Sequence, residues 1–357
     1  MFMAAAAFGL SSSAAFAQAS GAKGEDFLYR VMQGDTLGDL ATRFTSGPSN
    51  WTTLQTLNNV QDDTRMPIGL LLRIPFPLIP ELPARAEVSH VAGRVSVDGE
   101  PLKVSASVAE GQTVRTQADG FATLRLADGS VLSVPASSSL IMKRLRVFKG
   151  TGLTDSIIEM QSGSLESEVA PEKNGVGRFE VQTPVSVTGV RGTRLRVHVS
   201  PQEGSRSEVL QGRAGVDATH SPEAVLRDRQ GVAVDVRGES SGVRDLLPAP
   251  DLPVPVRGGS GWVMSFPAVA GAHGYLVRVA SDPDGANLVS GKVFPDPDVQ
   301  FAASGAGTYY VFVRALDSEG LGGVDARQSF QGAFVLQDSS GASVSSGFGH
   351  PILVANY

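Results

Sequence analysis

The hydrophobic pattern near the start of the chain changes from strand-like to helical within sixteen residues. The segment YRVMQGDTLGDLATRF, residues 29–44, begins with polar and apolar positions mixed, as in a short strand. Its second half places apolar residues on one helical face, at Leu37, Leu40, Ala41 and Phe44. Gly34 supplies the turn between the halves, and Thr36 is placed to cap the helix with Asp39 as its capping-box partner.

A second helix and a second strand are predicted directly afterwards. The stretch TSGPSN, residues 45–50, interrupts the first helix, and Asn50 can cap another that carries Trp51, Leu54 and Leu57. The turn MPIG at residues 66–69 then leads into a short strand that ends at Pro75. The predicted order is therefore strand, helix, helix, strand in a very small unit.

This order, with its anchor residues, resembles the LysM module over residues 27–76. The matching positions are Tyr29, Val31, Gly34 to Leu37, Leu40, Ala41, Phe44, Leu54, Leu57, Asn58, Pro67, Gly69 and Arg73 to Pro75. The resemblance implies binding of N-acetylglucosamine-containing glycans such as peptidoglycan, in a shallow groove between the first strand–helix turn and the loop before the second strand. Carried over to this chain, the groove comprises Gly34, Asp35, Thr36 and Leu37, facing Met66, Pro67, Ile68 and Gly69, with Asn59 nearby.

The resemblance implies that Thr36 and Asp35 hydrogen-bond to the sugar and that Leu37 and Ile68 supply apolar contact. An alternative for Asp35 and Thr36 is a purely structural role in capping the helix.

The pattern changes to short alternating segments after residue 85. The segment VSHVAGRVSVDGEPLKV, residues 88–104, predicts a hairpin with Asp98 and Gly99 at its turn. Further strands place apolar residues on one face, at Ala122, Leu124 and Leu126 and at Leu195, Val197 and Val199. Arg194, Arg196 and His198 take the opposite face of the later strand. Repeated short strands with Asp-Gly turns predict an all-β domain.

This middle region resembles the periplasmic domain of the iron-dicitrate sensor (FecR) family over residues 86–237. The signature is Thr183-Pro184 followed by Gly189-Val190-Arg191-Gly192-Thr193. The resemblance implies a stacked-strand β fold and a periplasmic setting. Sensor members relay a signal through a transmembrane helix, and no stretch here is long and apolar enough to be one. Gly189 and Gly192 are expected to allow a bend or bulge that Arg191 anchors, and a ligand role for Arg191 is the alternative.

The C-terminal part resembles a fibronectin type III-like β-sandwich over residues 254–337. Trp262 is its expected early core aromatic, Tyr275 opens one strand, and Tyr309, Val311 and Val313 line a later one. Proline-rich stretches at 77–85 and 238–253 predict extended linkers. The Ser/Gly-rich residues 338–357 predict a flexible tail.

Composition narrows the class of protein. A chain of 357 residues is long enough for two or three domains, and a net charge of −6 argues against bulk nucleic-acid binding. The absence of cysteine excludes disulfides, a thiol nucleophile and a cysteine-anchored lipoprotein. One basic stretch, with Lys143, Arg144, Arg146 and Lys149, could meet peptidoglycan carboxylates or lipid phosphates. A solvated strand face is the alternative.

The first residues predict export. Residues 1–17 resemble a signal peptide with a small-residue cleavage site at Ala15-Phe16-Ala17, although the first cationic side chain is Lys23. No later segment is apolar and long enough to cross a membrane. The predicted location is the periplasm of a Gram-negative envelope.

No catalytic, metal or cofactor site is predicted. The histidines are scattered, at His90, His198, His220, His273 and His350. GESSG at 238–242 matches the nucleophile elbow formally, but a proline-rich stretch follows where the elbow needs a helix. DPDG at 282–285 lacks the further ligands of a calcium loop and is expected to be a turn.

These patterns together predict a multi-domain, mainly β protein with a small βααβ LysM module, a stacked-strand FecR-like domain and a C-terminal β-sandwich. The predicted function is non-catalytic binding of peptidoglycan or a related glycan, with the β domains presenting a surface to a partner. The alternative is an envelope signalling or assembly component in which the FecR-like domain binds another protein and LysM only localises it. A glycosidase is a third class, but no carboxylate pair is singled out.

Overall fold

The computed structural model describes residues 19–23, 26–170, 176–190, 192–258, 261–303, 305–332, 334–335, 344 and 353–354. The predicted signal peptide at 1–17, Arg191 and most of the tail at 338–357 lie outside the described residues. The chain divides into a first unit, Met1–Pro80 with Lys149–Thr151, and a second unit, Glu81–Phe148 with Gly152–Tyr357. The protein is mainly β and multi-domain, as predicted.

The first unit combines a small antiparallel sheet with two helices. Its elements are β1 (Ala19–Lys23), β2 (Asp26–Arg30), α1 (Leu37–Phe44), a 3-10 turn (Pro48–Asn50), α2 (Trp51–Asn58) and β3 (Leu71–Pro75). The sheet order is β1-β2-β3, so β1 extends the predicted βααβ arrangement by one strand. The predicted face of α1 is fully buried against the sheet, and the Phe44 ring lies 5.1 Å from that of Tyr29.

One predicted cap of this unit is wrong. Asn50 makes no side-chain hydrogen bond to the start of α2. Its amide instead donates to Thr45 Oγ1 at 3.0 Å and to Ser46 Oγ at 3.1 Å, across the turn that precedes the helix. The Asn50 side chain therefore closes the turn between the helices and leaves the start of α2 uncapped.

The second unit begins with eighteen hydrogen-bonded strands. Their bounds are β4 (Glu81–Pro83), β5 (Arg85–Ala92), β6 (Val95–Val97), β7 (Glu100–Pro101), β8 (Ser107–Ala109), β9 (Thr113–Thr116), β10 (Phe121–Arg125), β11 (Val131–Val134), β12 (Ser139–Phe148), β13 (Thr154–Glu168), β14 (Val176–Gln182), β15 (Ser186–Val190), β16 (Arg194–Ser200), β17 (Gly204–Gln211), β18 (Ala214–Ala218), β19 (Ala224–Leu226), β20 (Gln230–Val234) and β21 (Arg244–Asp245). The predicted hairpin turn is present between β6 and β7, where Asp98 and Gly99 both have positive φ.

The long strand β13 joins two sets of strands around one aliphatic core. Its first part pairs with β12 and β14, and its second part pairs with β11 and β16. The change occurs at Gly163, which has a φ of +81° and where a Cβ would lie 2.5 Å from Ser137 O. Only glycine fits this position without displacing the backbone. Buried hydroxyls also connect the two sets, with Thr188 Oγ1 lying 2.9 Å from Ser207 Oγ.

The bend or bulge predicted for the two glycines of the FecR-like signature is absent at Gly189 and present as a turn at Gly192. Gly189 pairs in regular register with Glu180 and Gly215 inside β15, so no bulge occurs there. Gly192 has a φ of +58° in the turn that follows. Thr193 closes this turn by donating its hydroxyl to Arg213 O at 2.8 Å.

A β-sandwich follows. Its strands are β22 (Val256–Gly258), β23 (Gly261–Ser265), β24 (Gly274–Ala280), β25 (Leu288–Phe294), β26 (Asp298–Phe301), β27 (Gly307–Leu316) and β28 (Ala326–Gly332). One sheet has the order β22-β23-β26 and the other β25-β24-β27-β28. The two sheets share a core that includes Tyr275, Val311 and Val313, with Trp262 packed against it. A short pair, β29 (Phe334–Val335) and β30 (Leu353–Val354), ends the described chain.

Both proline-rich stretches are more structured than predicted. Within 77–85, a 3-10 turn covers Phe76–Leu78 and β4 pairs with β12. Proline is tolerated in the first turn of a helix and in edge strands, so its density did not exclude these elements. Within 238–253, β21 pairs with β20, and Leu247 and Leu252 pack against the sandwich core.

Candidate functional site

The predicted groove begins at the turn between β2 and α1. Gly34 has a φ of +89°, which other residues resist. Asp35 closes the turn, because its Oδ2 accepts hydrogen bonds from the Met32 amide at 2.7 Å and the Tyr29 hydroxyl at 2.9 Å. Burial and this bond to Asp35 raise the pKa of Tyr29 above its usual value. The turn is therefore fixed by a side chain that also ties it to the core.

Thr36 caps α1 as the sequence predicts. Its Oγ1 accepts a hydrogen bond from the Asp39 amide at 3.1 Å and donates one to Asp39 Oδ2 at 2.7 Å. In a capping box the third residue would reach back to the backbone of the cap, whereas Asp39 is too short and binds the cap hydroxyl instead. The capping role of Thr36 is thus present, and its side chain remains partly exposed at the groove edge.

Backbone hydrogen bonds hold the second wall beside the first. The Gly69 amide donates to Val31 O at 2.8 Å, and the Val31 amide donates to Leu70 O at 2.9 Å. The Leu37 amide donates to Asp63 O at 3.1 Å. The segments 31–37 and 63–70 therefore lie side by side, which brings the two predicted sets of residues together.

The predicted groove residues differ in what they can offer a ligand. Ile68 is 70% exposed and Pro67 is also exposed, so this wall presents apolar surface. Leu37 is 0% exposed and its amide is bonded to Asp63, so the expected apolar contact from Leu37 is wrong for its side chain. Met66 is buried as well. Both pack into the core and support the groove from below.

Asn59 has a structural role in this unit. It is the C-cap of α2 with a φ of +51°, and its backbone N–H donates to Gln55 O and Thr56 O. Asparagine is one of the few residues that tolerate this left-handed conformation. No described contact connects its side chain with the turn at Gly34.

Met32 is an exposed residue beside the predicted groove that was not expected from the sequence. It is 43% exposed and follows Val31, whose carbonyl is bonded to Gly69, the residue after Ile68. Tyr29 and Val31 are buried while Met32 is exposed. This period of two continues past β2, which ends at Arg30, and was the available signal for Met32.

The basic stretch at 143–149 does not form a free cationic patch. Lys143 Nζ lies 2.9 Å from Glu159 Oε2, and Arg146 pairs with Glu110. Arg144 pairs with Glu81 and with the buried Asp155. Carboxylates thus compensate these three charges, which favours the alternative of a solvated strand face.

The two sequence matches to catalytic or metal motifs are turns. Asp282 Oδ1 accepts a hydrogen bond from the Asn287 amide, and Oδ2 accepts one from the Ala286 amide at 3.0 Å. Its carboxylate therefore organises the loop. GESSG lies in a turn where Ser240 bridges to Val234, with strand β21 and no helix after it. In the described part of the chain, no group of three or more His, Asp or Glu side chains is placed to hold a metal ion.

A buried cluster of six charged side chains lies where the sandwich packs on the stacked strands of the second unit. Its members are Glu166, Arg196, Glu208, Arg278, Arg314 and Asp325. Arg278 joins two of the acids, with Nη1 2.6 Å from Glu166 Oε2 and Nη2 3.0 Å from Asp325 Oδ1. Arg196 Nη1 lies 2.9 Å from Glu208 Oε2.

The charges in this cluster balance, three arginines against three carboxylates. Burial alone raises the pKa of Glu166, but Arg278, Arg314 and Arg196 outweigh it and lower that pKa to about 2. The same balance of burial and arginines lowers the pKa of Asp325. We expect Glu166 and Asp325 to be ionised at neutral pH, so their ion pairs fix the sandwich on the stacked strands.

Two family models match the chain. The LysM domain model matches residues 29–75, and the FecR protein model matches residues 112–215. No curated protein matches the chain. Among the described residues, no helix has both the length and the apolar character needed to cross a membrane.

Solved structures with some similarity cover parts of the chain. Two crystal structures of a "putative anti-sigma factor" from Parabacteroides distasonis ATCC 8503 match at 21% and 19% identity, with TM-scores of 0.30 and 0.31. Each match covers 37% of this chain and 59% of the other chain. The glycoside hydrolase domain of Endo-D from Streptococcus pneumoniae R6 matches at 12% identity over 71% of this chain and 37% of the other, with a TM-score of 0.19. Similarities at these TM-scores support no functional argument. The family models thus find a LysM domain at residues 29–75 and, after it, a FecR region at residues 112–215.

Proposed function

We propose that the protein is exported to the periplasm of a Gram-negative envelope and binds peptidoglycan without catalysis. The LysM match over residues 29–75 carries this proposal, because LysM domains are binding modules for N-acetylglucosamine-containing glycans. The exposed Ile68 beside the turn at Gly34 supports it. Large exposed apolar side chains next to polar groups are typical of ligand grooves.

In this proposal, the sugar lies between the segments 32–36 and 66–69. Backbone groups of Gly34 and Gly69 and the side chains of Asp35 and Thr36 provide hydrogen bonds. Ile68 and Met32 provide apolar contact, and Leu37 and Met66 support the walls. Asn59 has an indirect role in this proposal, because it ends α2 just before the loop that leads to residues 66–69.

The second unit would present a surface to a protein partner. The FecR match supports this role, because FecR-type regions take part in envelope signalling. The three- and four-stranded sheets of the sandwich support its assignment as a fibronectin type III-like module, a common docking scaffold. The ion pairs of the buried charge cluster hold the sandwich on the stacked strands, so a partner could contact both at once.

Replacing Ile68 with aspartate is expected to weaken binding to purified peptidoglycan sacculi at least about tenfold, a loss of about 1.4 kcal/mol. The substitution removes apolar contact and places a carboxylate where an acidic polymer would bind. Co-sedimentation of the full chain with sacculi over a range of protein concentrations measures the effect.

Val104→Asp is the matched control, because Val104 is also an exposed aliphatic residue but belongs to the second unit. It should sediment like the unchanged protein. If both variants lose binding equally, or if the unchanged protein does not sediment, the proposed groove is not the anchor.

A further inference from the structure

A groove of about 870 Å³ opens within the second unit, between strand ends of the sandwich and two turns of the stacked strands. His273 and Gly274 at the start of β24, and Leu316 at the end of β27, form one side. The turn between β20 and β21 and the turn before β17 form the other side. This volume is within the range of ligand pockets in proteins.

One part of the groove lining is apolar. Val293, Phe294 and Pro295, at the end of β25, line it. Val293 is 54% exposed, although the neighbouring positions of the sandwich core are buried. An exposed β-branched side chain that lines a concave surface is stabilised when apolar atoms of a partner cover it.

The rim of the groove is strongly acidic. Five carboxylates and one guanidinium line it, those of Glu203, Asp235, Glu239, Asp317, Glu319 and Arg206. The Arg206 guanidinium already has partners within the protein, because it pairs with Glu203 and donates a hydrogen bond to the Glu319 carbonyl. Asp235 pairs with Arg237, and Asp317 and Glu319 share Arg244. Glu239 makes no ion pair with any described residue, so the five carboxylates are opposed by three guanidinium groups. The groove therefore keeps an excess of negative charge beside apolar surface.

We propose that this groove binds an extended basic segment of a partner protein, with lysine or arginine alternating with apolar residues. Alternate side chains of an extended chain point to opposite sides, so apolar side chains can cover Val293 while cationic ones meet the rim. Among the described residues, no three of these carboxylates are placed to hold a metal ion together, so they suit a row of cations better than a single metal ion. Opposite charge across such a surface also speeds encounter and fixes register.

This inference rests on the partner-presenting part of the proposed function and is independent of glycan binding. Fluorescence anisotropy of the full chain with a labelled (Lys-Val)₃ peptide, at low salt, tests it directly. We expect a dissociation constant on the order of 100 μM and no measurable binding of the matched (Glu-Val)₃ peptide. Salt should weaken the interaction, because the rim is open to solvent.

Glu239→Lys and Val293→Ser should each weaken binding of the basic peptide at least about fivefold. Their matched controls are Glu100→Lys and Val104→Ser, which make the same changes at exposed positions away from the groove. Both controls should bind like the unchanged protein.

The proposal is overturned if the basic peptide does not bind at about 1 mM, if the acidic peptide binds equally, or if the control variants lose as much affinity as the groove variants. Sedimentation of the same variants with sacculi separates the two proposals. Loss of peptide binding with retained sedimentation refutes only the groove, and Ile68→Asp should leave peptide binding unchanged.

Discussion

Replacing Asp325 with alanine is expected to lower the free energy of unfolding of the second unit by about 3–5 kcal/mol. Asp325 pairs with Arg278 and Arg196 inside the buried cluster. Removing it leaves three buried guanidinium groups with two carboxylates. Breaking a buried pair on one side is costly, because the remaining charge has lost its water and its partner.

The measurement is urea unfolding followed by the fluorescence of Trp262, in a background where Trp51 of the first unit is phenylalanine. Thermal unfolding followed by the same fluorescence should give a melting temperature that is lower by on the order of 10 °C. Asp119→Ala is the control, because Asp119 pairs with Arg94 at the surface, and its loss should cost less than about 1 kcal/mol. Equal effects of the two variants would show that the cluster does not stabilise the sandwich on the stacked strands.

The second unit is also expected to lose stability in acid, between pH 4.5 and about 2. Glu166 has a pKa of about 2 in the folded chain against its usual 4.5. A depressed folded-state pKa contributes stability that is fully present above the unfolded value and is lost as the pH falls towards the folded value. For Glu166 this contribution is about 3 kcal/mol, and Asp325 acts in the same direction.

Unfolding free energies at several pH values, with the same fluorescence signal, test this expectation. Glu166→Gln should be less stable at neutral pH and should show a shallower decline in acid, because one of the titrating groups is gone. If the unfolding free energy of Glu166→Gln falls with pH as steeply as that of the unchanged chain, the acid sensitivity comes from groups outside the cluster.

The sequence predicted local structure best where one periodicity was strong. Leu37, Leu40, Ala41 and Phe44 form the buried face of α1, and the Asp98-Gly99 turn lies where it was expected. Both features depend on neighbours within a few residues. The predicted cap at Asn50 is wrong even at this short range, because its side-chain amide donates to Thr45 Oγ1 in the preceding turn.

The buried charge cluster could not be predicted from alternation alone. The pattern around Leu195 and Val197 indicates which face enters the core, but it does not say whether another sheet covers the opposite face. Arg196 lies on that covered face. Arg278 and Arg314 were the available signal, because each lies within an apolar run of the sequence. A charged side chain in such a run is rarely buried without a partner, so these positions indicated buried ion pairs.

The two segments of the proposed groove in the first unit lie side by side, because backbone hydrogen bonds join Val31 with Gly69 and Leu37 with Asp63. The sequence indicated these segments, but it did not determine which of their side chains are exposed. The burial of Leu37 and the exposure of Met32 depend on how the turn packs, which spacing alone does not determine.

The most direct test of wall binding by the LysM domain is a titration of the isotope-labelled full chain with a soluble N-acetylglucosamine oligomer, followed by amide chemical shifts. The predicted result is a set of saturating shifts confined to the first unit and centred on Gly34, Thr36, Ile68 and Gly69. Shifts centred on the second unit, or none at saturating oligomer, would contradict the proposal that this groove holds the protein on the glycan.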